Sequence, residues 1–225
     1  MKISAIDPSI NSSGVVSFDL DSELNITSRS YLGFSDKKKF QFKHIIPFTK
    51  KQFRNEFDQN NWMYGQILNF VIGSEIIIFE GYSYSSVGKT FQIAEFCGGI
   101  KLKCYDIGIK IRIMDPLSVK LFSTGKGNSD KVEMCQAYSK LSFSEKLDLD
   151  ESFFTQKGSP AEDIVDAFWM LQMLLTELKL RKGLILMKDL QENQIRVFNR
   201  VTKSNPVNLL DTPFLSKGVK DGSLL

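Results

Sequence analysis

Four carboxylates stand out by their settings. Asp7 closes a short apolar run, Ile3, Ala5 and Ile6, and is followed by the turn residues Pro8, Ser9, Asn11, Ser12, Ser13 and Gly14. Glu80 closes a second, continuous apolar run, Ile76, Ile77, Ile78 and Phe79. Asp163 and Asp166 lie three apart at the start of an apolar-striped segment, a spacing that projects both from one face of a helix. A carboxylate at the end of a buried strand is costly unless a cation or ligand balances it. Four sharing one site would raise one another's pKa, and the physical remedy is a hard divalent ion: oxygen-only ligation selects Mg²⁺ or Mn²⁺ over zinc. Two such ions about 4 Å apart position a water and stabilise the leaving oxygen in phosphodiester cleavage. For the helical pair a plainer reading stays open, since acids near a helix N-terminus complement its dipole.

The elements that must carry these acids follow from pattern. Met1 to Phe18 reads as a β-hairpin, with Val15, Val16 and Phe18 on the returning strand. Asn25 to Phe34 predicts a third strand, and Lys37 to Phe48 either extends the sheet or forms a basic flap. Lys37, Lys38, Lys39, Lys43, Lys50, Lys51 and Arg54 make this the most basic stretch, which fits a solvated loop or a phosphate-facing surface. Helical spacing from Gln52 to Val71 predicts a helix on the sheet. The run ending at Glu80 predicts a central strand covered on both faces. A helix follows over Lys89 to Tyr105, then a strand over Lys110 to Met114. Asp115-Pro116 opens a short helix, Ser123 to Ser129 forms a polar turn, and a helix restarts near Asp130. Ser142 to Gly158 reads as a mobile connector, and Pro160 opens the last major helix, Ala161 to Arg181. Beyond it, Leu184 to Met187 and Ile195 to Phe198 read as strands, followed by a tail that is disordered or lies on a partner.

Composition sets outer limits. The chain has 225 residues, 42% hydrophobic and 24% charged, as in an ordinary globular protein. Its net charge of +3 permits a polyanionic partner without arguing strongly for one. Three cysteines, Cys97, Cys104 and Cys135, lack metal or disulfide spacing and read as reduced thiols. One histidine, His44, rules out a multi-histidine metal cluster. No apolar run approaches the roughly 18 to 20 residues that span a bilayer, and Met1-Lys2 leads into a strand, so the expectation is a cytoplasmic protein with no membrane association.

Over roughly Met1 to Leu180 the chain resembles the RuvC-type Holliday junction resolvases of the RNase H-like superfamily, including their bacteriophage members. The resemblance rests on IDPSINSSGVV (Ile6 to Val16), IIIFEGYSY (Ile76 to Tyr84), KLFSTGKGNSDK (Lys120 to Lys131) and SPAEDIVDAFWML (Ser159 to Leu171), in that order. It implies a three-layer α/β fold: a mixed five-stranded sheet with an N-terminal antiparallel hairpin unit and helices on both faces. It implies that Asp7, Glu80, Asp163 and Asp166 bind Mg²⁺ (Mn²⁺ substituting), two ions per site, with Lys131 as a further catalytic residue. Lys120, Lys131, Lys126 and Lys89 would meet DNA. Ser9 replaces the family's usual glycine after the first Asp-Pro. Ser83 stands where some members carry an aromatic wedge, so Tyr82 or Tyr84 either replaces that wedge or is a surface or packing residue.

The expected function is a homodimeric endonuclease cutting four-way junctions and other branched DNA to leave 5′-phosphate ends, in the host cytoplasm if phage-encoded. Residues 1–182 would form the nuclease domain and 183–225 a C-terminal extension contacting DNA or a second subunit. Rival readings are an RNase H-like nuclease for flaps or replication forks, an actin-like ATPase, and a noncatalytic DNA-binding scaffold.

Overall fold

The computed structural model describes residues 1–37, 39–40, 42–81, 90–154, 156 and 158–204. The strands are β1 (Lys2–Asp7), β2 (Gly14–Leu20), β3 (Ile26–Ser35), β4 (Ile45–Pro47), β5 (Ser74–Glu80) and β6 (Lys110–Met114). They form one mixed sheet in the order β4-β3-β2-β1-β5-β6. β1, β2 and β3 are antiparallel neighbours, whereas β5 and β6 run parallel to β1. The sheet has six strands where five were expected. The added strand, β4, is three residues long and pairs parallel with the end of β3, extending the sheet from within the basic stretch.

Helices cover both faces because β1 and β5 are apolar on both. Ile6, Ile77 and Phe79 pack under α1 (Glu56–Val71) and α2 (Thr90–Asp106). Ile3, Ala5, Ile76 and Ile78 point the other way, beneath α3 (Pro116–Thr124), α4 (Lys131–Ser139) and α5 (Pro160–Arg181). α5 is the central helix of that layer. Pro160 opens it at a position that needs no N–H donor, and the Ser159 hydroxyl caps it by accepting from the Ala161 N–H. Among the described residues, no helix is long and apolar enough to cross a membrane.

Two expectations fail beyond α4. The described residues of 142–158 are held against the layer: Leu147, Leu149 and Phe154 are buried, and the Tyr138 hydroxyl donates to the Leu147 carbonyl while accepting from its N–H. Its phenylalanines and leucines are interspersed with charge and keep no regular period, yet Leu147, Leu149 and Phe154 fill the edge of the layer beside Tyr138. Neither strand expected after Lys182 forms. The chain makes a short 3₁₀ turn at Met187–Asp189 and then α6 (Glu192–Ser204). Val197, Phe198 and Val201 are buried at helical spacing, with Phe198 edge-on to Phe122 of α3. The Asn193 amide donates to the Leu121 and Phe122 carbonyls at 3.0 and 2.9 Å, which adds to the Gly125 N–H on Leu121 and gives the Phe122 carbonyl a partner it lacks within its own helix.

Candidate active site

β1 and β5 are paired so that Ile6 faces Phe79, and the next residue of each strand is an acid. Asp7 and Glu80 therefore leave the sheet side by side at the carboxyl edge of two parallel strands. On the other side of β1, Asp7 pairs with Gly14 of the returning hairpin strand. The first turn of α5 crosses directly above: a Cβ on Gly14 would stand 2.2 Å from the Asp163 carbonyl oxygen. That close approach, which only glycine permits, brings the helical acids down to the strand acids.

Carboxylate oxygens of Asp7, Asp163 and Asp166 lie within 4.8 Å of one another. Glu80 lines the same small pocket, with Asp7, Asp166, Lys120, Val119, Met134 and Met170 around a space of about 20 Å³, about what one water needs. Lys131, the first residue of α4, points its ammonium into the cluster, 2.5 Å from Asp163 Oδ1 and 3.7 Å from Asp166 Oδ2. Its position is fixed by a capping box in which the Asp130 carboxylate accepts from the Glu133 N–H and the Glu133 carboxylate from the Asp130 N–H. The second oxygen of Asp163 accepts from the Ser12 hydroxyl, also at 2.5 Å.

The electrostatics are those of crowded acids. Burial and then the Asp163 and Asp166 charges push Asp7 well above the usual carboxylate range. Glu80 is pushed up to about 7, by burial first and then by Asp166, with Lys120 and Lys131 opposing. Asp166 is pushed up to about 6, by burial against the opposing pull of Lys131. Burial alone would lower the Lys131 pKa, but Asp163, Asp7 and Asp166 raise it, so it stays charged. The donor set is carboxylate oxygen, it is only partly neutralised by the two lysines, and its middle already holds a positive group. Those features fit a hard divalent cation.

The other expected residues fall elsewhere. Lys126 is ion-paired with Glu133 at 3.0 Å beyond the end of α3 and does not line the acid pocket. Tyr82, Tyr84 and Lys89 lie outside the described residues. Within the basic stretch, Lys43 pairs with Asp148 and Arg54 with Asp58. His44 packs edge-on to Tyr31, away from the acids. By type and position alone, Ser12 and Gly14 read only as turn residues. A hydroxyl and a glycine just downstream of Asp7 were the available signal, but their partner is 151 residues away from Ser12 along the chain.

No protein-family model matches the chain, and no curated protein sequence matches it. Among solved structures it is similar to RuvC of Thermus thermophilus, with a TM-score of 0.50 and 14% identity over 81% of this chain and 97% of that one. It is similar also to T. thermophilus RuvC in complex with Holliday junction substrate, with a TM-score of 0.51 and 14% identity over 79% and 93% of the two chains. The likeness is one of fold: this chain shares the mixed-sheet α/β architecture of those structures.

Proposed function

We propose that this chain is a structure-selective endodeoxyribonuclease that resolves Holliday junctions and related branched DNA by metal-dependent phosphodiester hydrolysis, leaving 5′-phosphate ends. The observation that carries the proposal is the convergence of Asp7, Asp163 and Asp166 within 4.8 Å, with Glu80 on the same pocket, at the carboxyl edge of an RNase H-like sheet. The junction as substrate is supported by the fold likeness to RuvC solved with Holliday junction substrate.

Asp7, Glu80, Asp163 and Asp166 would hold Mg²⁺, or Mn²⁺ in its place, two ions per site. Bound there, the metal supplies an activated water and charge stabilisation at the leaving oxygen. Ser12 and Lys131 grip the two oxygens of Asp163 and restrain its carboxylate from turning. Lys131 and Lys120 put positive charge beside the acids, where a phosphate gathering charge in the transition state would be stabilised. Lys126, Lys89, Tyr82 and Tyr84 remain candidates for contact with DNA outside the acid pocket. Residues 1–182 act as the nuclease domain and 183–225 as an extension, in the cytoplasm.

The proposal includes a homodimer, which suits cutting two opposed strands. α2 leaves Phe91, Leu102 and Tyr105 exposed at 88%, 61% and 59%, and a Cβ on Gly98 would meet nothing. Two copies crossing antiparallel at Gly98 would set Phe91 against Tyr105 and Ala94 against Leu102, an apolar seam.

The test is cleavage of synthetic four-way junctions, flaps, forks and linear duplex with Mg²⁺. Preferential cutting of the junction, lost in Asp7→Asn and Asp166→Asn, is expected. Equal or better cutting of flaps or forks would replace the junction as substrate, and wild-type rates in either variant would end the site assignment.

A further inference from the structure

Helix α6 follows the stretch from Met1 to Leu180 that carries the resolvase-like motifs, and it contributes no residue to the acid pocket. It runs antiparallel to α3. Asn193 near its start caps the end of α3, and Arg200 near its finish donates to Asp115, the N-cap of α3, at 3.3 Å. Asp115 follows Met114 of β6, the residue paired with Glu80, and its charge is felt by Glu80. The far half of α6 is therefore fastened at the edge of the sheet where the acids gather.

The two faces of α6 differ in chemistry. Val197, Phe198 and Val201 are buried in the core beneath α6, so the apolar face is used up and is not free to enter a lipid surface. The outward face presents Arg196 and Arg200, four residues apart and both exposed, with Arg200 only partly neutralised by Asp115. Guanidinium groups one helical turn apart, about 6 Å along the axis, are suited to phosphate oxygens, which they grip in a bidentate fashion.

We propose that the outward face of α6 is a second DNA-backbone contact, in which Arg196 and Arg200 grip phosphates of duplex next to the cleavage site and hold the substrate's approach to the acids. The proposal rests on the nuclease reading. Its chemistry is sequence-independent: phosphate contacts position a duplex and do not read bases.

The experiment measures binding of a four-way junction, and of duplex of equal length, to full-length Asp7→Asn protein across a salt series, with and without Arg196→Gln/Arg200→Gln. A parallel pair carries Arg196→Gln alone, which spares the Asp115 contact, and Arg196→Lys/Arg200→Lys, which keeps the charge. Loss of both arginines is expected to weaken binding about tenfold and to lower the slope of log K against log salt by about 1.8, two phosphate contacts' worth. Arg196→Gln should remove about half of that slope, and the lysine pair should restore most of it. Unchanged affinity and slope in both glutamine variants, with the otherwise wild-type protein still cutting junctions, overturns the role of α6 and leaves the nuclease reading standing. A wild-type protein that neither binds nor cuts DNA overturns both.

Discussion

Gly14 and Asp163 meet backbone to backbone: a Cβ added at Gly14 would lie 2.2 Å from the Asp163 carbonyl oxygen and 2.4 Å from the Ile164 nitrogen. Neither atom is the end of a flexible side chain, so the start of α5 would have to lift off β2. Overpacking of this kind costs about 3 kcal/mol or more, a fall in Tm of roughly 6–12 °C for a chain of this size. Gly14→Ala should show that loss in a thermal melt, together with loss of any stabilisation by Mg²⁺, because Asp163 would part from Asp7. A variant that melts like wild type would mean that the start of α5 does not press on the hairpin at Gly14.

The acids make a pH prediction. Glu80 and Asp166 carry ordinary values of 4.5 and 3.8 in the unfolded chain and about 7 and 6 in the fold, and Asp7 moves in the same direction. Between those limits the folded state binds more protons than the unfolded state, so stability falls as pH rises from about 4 to 7. Lys131 stays charged throughout and does not offset the trend. Melts in EDTA should show a lower Tm at pH 8 than at pH 5 from this contribution, and Mg²⁺ should recover more at pH 8, where protons no longer compete for the carboxylates. The same difference in Asp7→Asn as in wild type would detach the effect from this cluster.

Much of this site was legible because each acid sits at an abrupt change of pattern. Asp7 and Glu80 end apolar runs too short to be anything but strands, and the i, i+3 spacing of Asp163 and Asp166 puts them on one helix face whatever the fold. Ser12 and Gly14 were not legible in these roles, since both depend on where α5 crosses the hairpin. Ile45–Pro47 is too short to display the alternation of a strand, which is why the pattern over Lys37 to Phe48 left sheet extension and a basic flap both open. The error at Ile195–Phe198 has the opposite cause. Four residues hold two periods of the strand pattern and barely one of the helical, too few to tell them apart, and only the burial of Val201 and the Asn193 cap on α3 decide for a helix.

Away from the acids, Arg112 on β6 and Glu177 on α5 form a fully buried pair, Nε to Oε2 at 3.0 Å, and Arg181 reaches the other Glu177 oxygen at 2.8 Å. Removing one member of such a pair strands a charge, so Glu177→Ala should cost about 3–5 kcal/mol in denaturant unfolding. Replacing all three charges together, Arg112→Met with Glu177→Leu and Arg181→Leu, should cost far less, because no guanidinium is then left without its carboxylate. Glu177 stands eleven residues beyond Asp166 on the same helix, about 16 Å along its axis, so cleavage below the unfolding transition should be unchanged in either variant.

The α2 seam predicts the oligomeric state. Leu102→Glu would put a carboxylate opposite Ala94 of the second copy, desolvating a charge without a partner. Light scattering after size exclusion should report a dimer for wild type and a monomer for the variant. An unchanged mass would move the interface elsewhere.

Lys131 offers the sharpest separation between holding the fold and doing the chemistry. Its ammonium occupies the space between Asp163 and Asp166 that a divalent ion would have to enter or share. Lys131→Ala leaves buried Asp163 without a charged partner, which should lower metal-free stability by about 1–3 kcal/mol. It also removes a competitor for the same oxygens, so half-maximal thermal stabilisation should need less Mn²⁺ than in wild type. If the ammonium stabilises charge on the reacting phosphate, cleavage should nonetheless fall, by about 10²–10³-fold for one lost electrostatic donor, and Lys131→Arg should recover part of it. Tighter metal binding with slower cutting is the expected pair of results. Weaker metal binding with slower cutting would make Lys131 a prop for the acids, and normal cutting would remove it from the reaction altogether.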